Sequence, residues 1–223
     1  MFARLLFKEF WENAWKIAAC CIIGVSISML MLRLRILDDM STVKLLAFGH
    51  AILLPVIFCT DIFSGEMSRR TIYLLFKLPV NRAYIFFAKF IFIILAAAII
   101  CAVNAVAIEI VTQSREQLPW ALFGEFMRVL IPIFSIMAWF CVVGCICRNE
   151  AVSLVMLLCV YVGWGCVFLF GRMYNHDVLI TFSPFAHYKT GLYSSLYWPN
   201  YIAGTLTPII IASYRYSRIR RFL

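Results

Sequence analysis

Charge is scarce in this chain. Lys, Arg, Asp and Glu make up 14% of its 223 residues, against about a quarter in an average soluble domain. Hydrophobic residues fill 64% of the positions, and the mean hydropathy is +0.93. A soluble fold of this length cannot hide so much apolar surface, which excludes a soluble globular domain and implies an integral membrane protein. The chain also lacks a Gly-x4-Gly-Lys-Ser/Thr loop, so it does not bind ATP in the usual way. It has no His-Glu-x2-His and no Gly-x-Ser-x-Gly. No paired acids and no nucleophile–base set fall within the apolar runs, so the sequence nominates no catalytic residue. Nothing at the start resembles a cleaved signal peptide, because Arg4, Lys8 and Glu9 break any early apolar core.

What is present is a series of continuous apolar runs. A bilayer-spanning helix needs about 20 mostly apolar residues. Six runs approach this: Ala14–Leu32, Leu45–Thr60, Phe90–Val111, Val129–Cys147, Ala151–Phe170 and Trp198–Ser213. The second and sixth are the shortest. None shows the alternation of a barrel strand, so the expected fold is all-α, a single transmembrane domain over residues 1–223. Before the first run, Arg4, Lys8, Glu12 and Lys16 recur at four-residue spacing, roughly opposite Leu6, Phe10 and Ala14. This predicts an interfacial helix over about residues 2–13, bending into the first span. The plainer reading is a solvated start to that span.

Between the second and third runs the chain turns charged but stays helical in period. From Glu66 to Leu78 one face reads Met67, Thr71, Leu74, Leu75 and Leu78, and the other Glu66, Arg70, Tyr73 and Lys77. That spacing predicts an amphipathic surface helix over about 65–78. Pro79 ends it, and Asn81 is placed to cap the helix that follows. With the N-terminus inside, the inner segments carry 13 Lys and Arg and the outer segments 7, which predicts both termini in the cytoplasm. The basic tail from Tyr214 to Arg221 is the strongest single anchor. Anionic lipid headgroups account for the net charge of +9, and no nucleic-acid partner is needed.

The order Glu66, Thr71, Leu74, Leu75, Pro79, Arg82, Lys89 resembles the first cytoplasmic loop of permease subunits in the type-2 family of ABC exporters. Two positions depart from that pattern: Arg70 stands where the family usually has glycine, and Asn81 where it often has serine. Phe7-Lys8-Glu9 is similar to the Lys-Glu of the family's entry helix. Phe182-Ser183-Pro184-Phe185 is similar to its Ser/Asn-Pro-aromatic element before the last span.

The resemblance implies an ATP-driven exporter in a bacterial cytoplasmic (inner) membrane. Two such chains, as a homodimer or a close heterodimer, would form the translocation path. Two separate ATPase subunits would bind and hydrolyse the ATP, so no cofactor is assigned to this chain. The 65–78 helix would couple to the ATPase through Glu66, Arg69, Arg70, Thr71, Lys77 and Arg82, while Met67, Leu74 and Leu75 seat it on the membrane domain. The alternative is an integral-membrane enzyme or assembly factor acting on lipid or a membrane peptide. An enzyme would need polar groups meeting at one membrane depth, and the ionisable residues here sit at span ends.

Three further groups invite a sharper reading. Asn104 and Glu109 lie in the outer half of the third run, where an intramembrane polar residue is a candidate for the substrate path. Their plainer readings are preferred: Asn104 among Ala98, Ala102 and Ala105 as a helix–helix contact, and Glu109 reaching the membrane interface. Gly163 and Gly165 are a further small-residue packing site in the fifth span. Cys141-x3-Cys145-x-Cys147 places two thiols on one helix face, but the spacing matches no standard zinc pattern, and the nine cysteines are read as structural. His176, Asp177 and His187 are read as parts of a polar outer loop, with Tyr188, Tyr193, Tyr197, Trp198 and Tyr201 as interfacial aromatics.

Overall fold

The computed structural model describes residues 2–34, 39–66, 81–113, 124, 127–147, 149–176, 180, 181, 184 and 197–218. Among these residues the chain is helical and has no strand. The α-helices are α1 (Phe2–Leu34), α2 (Asp39–Cys59), α3 (Arg82–Gln113), α4 (Leu130–Ile146), α5 (Glu150–Met173) and α6 (Tyr197–Ser217). A π-helical turn, Thr60–Gly65, continues α2. Among the described residues, four helical stretches are long and apolar enough to cross a membrane: Phe2–Leu34, Ser41–Phe63, Arg82–Val111 and Glu150–Met173. The α4 helix is apolar but shorter, at 17 residues.

The predicted interfacial helix and first span run on as one helix, with no break between them. At about 1.5 Å per residue its 33 residues reach roughly 50 Å, well beyond the ~30 Å hydrocarbon core. The third helix begins at Arg82, ahead of the apolar run that starts at Phe90. Asn81 caps it as its position predicts: its side-chain oxygen accepts from the Ala83 N–H at 3.0 Å. The α5 helix is capped likewise by Asn149, which accepts from the Ala151 N–H at 2.9 Å. It ends at Asn175, whose φ of 54° is the left-handed conformation of a helix terminator, with the His176 N–H bonding the Gly171 carbonyl.

The chain divides into two compact units. The first comprises Met1–Leu54 and Ile91–Leu130. Here the packing of α1 is inverted relative to a soluble helix. Its buried residues are Glu9, Asn13, Gly24, Ser28 and Leu32, while Trp11, Trp15, Ile22, Ile23 and Leu30 face outward. Lipid tails are as apolar as isoleucine, so nothing drives large side chains inward. Small residues that let backbones approach take the interior instead. The charge stripe is outward too, with Lys8 and Glu12 3.3 Å apart across one turn. Phe10 packs edge-on against Phe92.

The second unit comprises Pro55–Phe90 and Ile131–Leu223. Its interior is aromatic: Phe63, Phe86 and Tyr216 are fully buried and in mutual ring contact. The π turn packs against α5 and reaches α4 at Gly144, where an added methyl group would lie 2.8 Å from the Phe63 Cβ. Trp139 and Phe140 of α4 meet Trp164 and Tyr161 of α5 edge-on. The start of α6 is fixed by two bonds, Tyr201 Oη to the Ile131 carbonyl at 2.7 Å and Asn200 Nδ2 to Thr181 Oγ1 at 2.6 Å.

Candidate functional site

Of the residues singled out by spacing, Glu66, Arg82 and Lys89 are described, and Glu66 and Lys89 meet where the end of the π turn reaches the start of α3. Arg69, Arg70, Thr71 and Lys77 lie outside the described residues, as does the rest of the predicted surface helix after Glu66. The two ends of that segment are described. Glu66 follows the π turn and is 17% exposed at its side chain. Lys89 projects from α3 about two turns after its start, and its side chain is 0% exposed. Lys89 Nζ donates to Glu66 Oε1 at 2.5 Å.

The first and last members of the spacing pattern are therefore an ion pair. One carboxylate oxygen of Glu66 is thus bonded to Lys89 within the chain. A buried ammonium without an anion is untenable. Removing one partner of a buried pair costs about 3–5 kcal/mol, so Lys89 depends on Glu66.

Arg82 is also engaged within the chain. Its Nη1 donates to the Ser217 carbonyl at 3.2 Å, at the C-terminal end of α6. That end of a helix carries unsatisfied carbonyls and partial negative charge, which an arginine complements. Asn81, Arg82 and Lys89 thus each fix the start of α3 in a different way: by a cap, by a helix-end bond and by an ion pair. Sequence reasoning named all three residues and missed what joins Lys89 to Glu66 and Arg82 to α6.

In the other unit, Asn104 is fully buried. Its Nδ2 donates to the Ile100 carbonyl at 2.8 Å, and its Oδ1 has no hydrogen-bond partner among the described residues. It lies directly against Gly24 of α1, where an added methyl group would fall 2.5 Å from Oδ1 and 2.8 Å from Nδ2. The helix–helix reading of Asn104 has a partner: α1 approaches α3 where glycine faces asparagine. Glu109 is 3% exposed, so protein encloses it, where sequence reading sent it out to the interface.

A methyl group added at Gly163 or Gly165 would meet nothing within 4 Å, so no other element packs closely at those positions among the described residues. Tyr197, expected among the interfacial aromatics, is instead fully buried with Ile180, beside Phe168 and Tyr201. Cys141, Cys145 and Cys147 are buried, and no group of three or more metal-ligating side chains gathers among the described residues.

A family model described as ABC-2 family transporter protein matches residues 17–212. No curated protein matches the chain.

Proposed function

The chain belongs to the ABC-2 family of transporter proteins, and from that premise we propose that it is the permease of an ATP-driven exporter, docking on a separate ATPase subunit through residues 66–78. At the family level it is an integral membrane protein and a permease component of an ABC transporter. The finer reading adds six spans, both termini in the cytoplasm, a bacterial inner membrane, and pairing with a second permease chain, identical or closely related, over two ATPase chains.

The observation that carries this reading is the family match across residues 17–212, nearly the whole chain. The 13-to-7 asymmetry of basic residues supports the orientation. The lack of a phosphate-binding loop in this sequence supports placing ATP hydrolysis in a partner. Two-fold pairing is the commonest closed assembly, and α-helical spans from two copies would line the path. Asn104 and Glu109 are the residues proposed for that path, as enclosed polar groups at membrane depth. Arg69, Arg70, Thr71 and Lys77 are proposed to meet the ATPase, with Arg82 and Glu66 holding the segment's ends.

Affinity purification of the full chain in mild detergent tests the reading. An ABC ATPase should accompany it and hydrolyse ATP, and the permease alone should not. Recovery of the pure chain with no ATPase, from membranes that contain it at native levels, would overturn the assignment.

A further inference from the structure

We propose that the Glu66–Lys89 ion pair clamps together the two ends of residues 67–80, and so fixes where that segment meets its ATPase; the second half rests on the permease reading above. Lys89 and Glu66 are positioning residues in this scheme, acting through the segment between them. Glu66 is the last described residue before the segment and Asn81 the first after it. Lys89 lies on the helix that Asn81 caps, so the rigid start of α3 links the pair to the segment's far end.

The pair sits in a setting that strengthens it. Lys89 is flanked along α3 by Phe86 and Phe90, which stack on each other, and Phe86 contacts Phe63 of the π turn. Lys89 is 0% exposed and Glu66 17%, and charges withdrawn from water attract more strongly than charges in it. Arg82 adds a separate tether, to the Ser217 carbonyl. A push on residues 67–80 therefore reaches the end of α2 and the start of α3 together. Stability alone is a poor account of such a pair, since well-packed apolar residues serve a core as well or better. An ion pair does supply a specific geometry at one point, and a mechanical joint needs that.

The test uses the permease with its co-purified ATPase in lipid nanodiscs, as wild type, E66Q, K89M and the charge swap E66K/K89E. Two quantities are read: amide hydrogen exchange of residues 67–80, with a peptide from α5 as control, and ATP turnover per complex. Both single variants should raise exchange of 67–80 by about tenfold or more and leave the control unchanged. Turnover should fall about fivefold or more, and the swap should bring both quantities to within about threefold of wild type. A merely structural role would raise exchange in the control peptide as well.

Unchanged exchange of 67–80 in both single variants overturns the clamp. Raised exchange with wild-type turnover overturns its role in coupling. Should the single variants fail to fold, the swap decides: near-wild-type exchange and turnover support the proposal, and their loss overturns it. If no ATPase accompanies even the wild-type chain, the permease reading falls and takes the coupling role with it. That outcome is distinct from a failure of the variants in an intact complex.

Discussion

Replacing Gly24 by alanine should destabilise the protein through a single neighbour, Asn104. The methyl group would sit 2.5 Å from Oδ1, 2.8 Å from Nδ2 and 3.0 Å from Cγ of that side chain. Real contacts of this kind are longer, so something must move. Asn104 is fully buried and held by its bond to the Ile100 carbonyl. It can yield only by giving up that bond, worth about 0.5–1.5 kcal/mol, or by pushing α1 away from α3. Overpacking of this kind costs about 1–3 kcal/mol. Asn104→Ala alone should cost less than Gly24→Ala, because it also removes an oxygen with no partner among the described residues. The double variant should recover most of the loss, giving a coupling energy of about 1–2 kcal/mol. Unfolding in mixed micelles, followed by tryptophan fluorescence, reads all four proteins. Gly163→Ala is the control, since a methyl group there would meet nothing within 4 Å. A Gly24→Ala protein as stable as wild type, or a double variant that loses the sum of the single losses, would refute the reasoning.

Reporter fusions should give a cytoplasmic signal at Leu223 and an external one near Asp38, and the reverse at either site would end the six-span reading. Replacing Cys141, Cys145 and Cys147 together by alanine should lower stability modestly, with assembly with the ATPase and its turnover kept; a stoichiometric metal in the wild type that is lost from the variant would contradict a structural role. Leu74→Asp should reduce ATPase co-purification more than Arg70→Glu does, because it places a charge on the apolar face that seats the segment. Equal, wild-type recovery of ATPase in both would show residues 67–80 to be a plain connector.

Hydropathy marks apolar stretches, not the ends of helices. The third run reads as starting at Phe90, since Arg82 and Lys89 are charged, yet α3 begins at Arg82. Lys89 is fully buried there because Glu66 neutralises it, and hydropathy assigns a lysine the same cost whether or not it has a partner. The Asn81 cap was legible because capping is local: an asparagine two residues before the N–H it accepts from. The Glu66–Lys89 pair was half legible. Both residues belong to the spacing pattern, but a contact between residues 23 apart depends on how two helices return to one another. Helical periodicity instead grouped Glu66 with Arg70 and Lys77. Gly24 against Asn104 was hidden for the same reason, while at Gly163 and Gly165, the more conspicuous pair in sequence, an added methyl group would meet nothing within 4 Å.

The π turn at Thr60–Gly65 bears on how the length of this chain can change. In an α-helix each residue advances the direction of its side chain by about 100°, so losing one residue swings everything downstream by that angle. A π turn is a single wide loop of the ladder, most often a bulge within an α-helix that holds one residue more than an α turn would. Here it lies between Pro55 in α2 and Glu66 at the ion pair. A residue removed from 60–65 lets the ladder close as ordinary α-helix, and Glu66 still faces Lys89. The same deletion at 45–54 would carry Glu66 round to another side. Relatives of this chain should therefore differ in length within this six-residue window more readily than elsewhere along the helix.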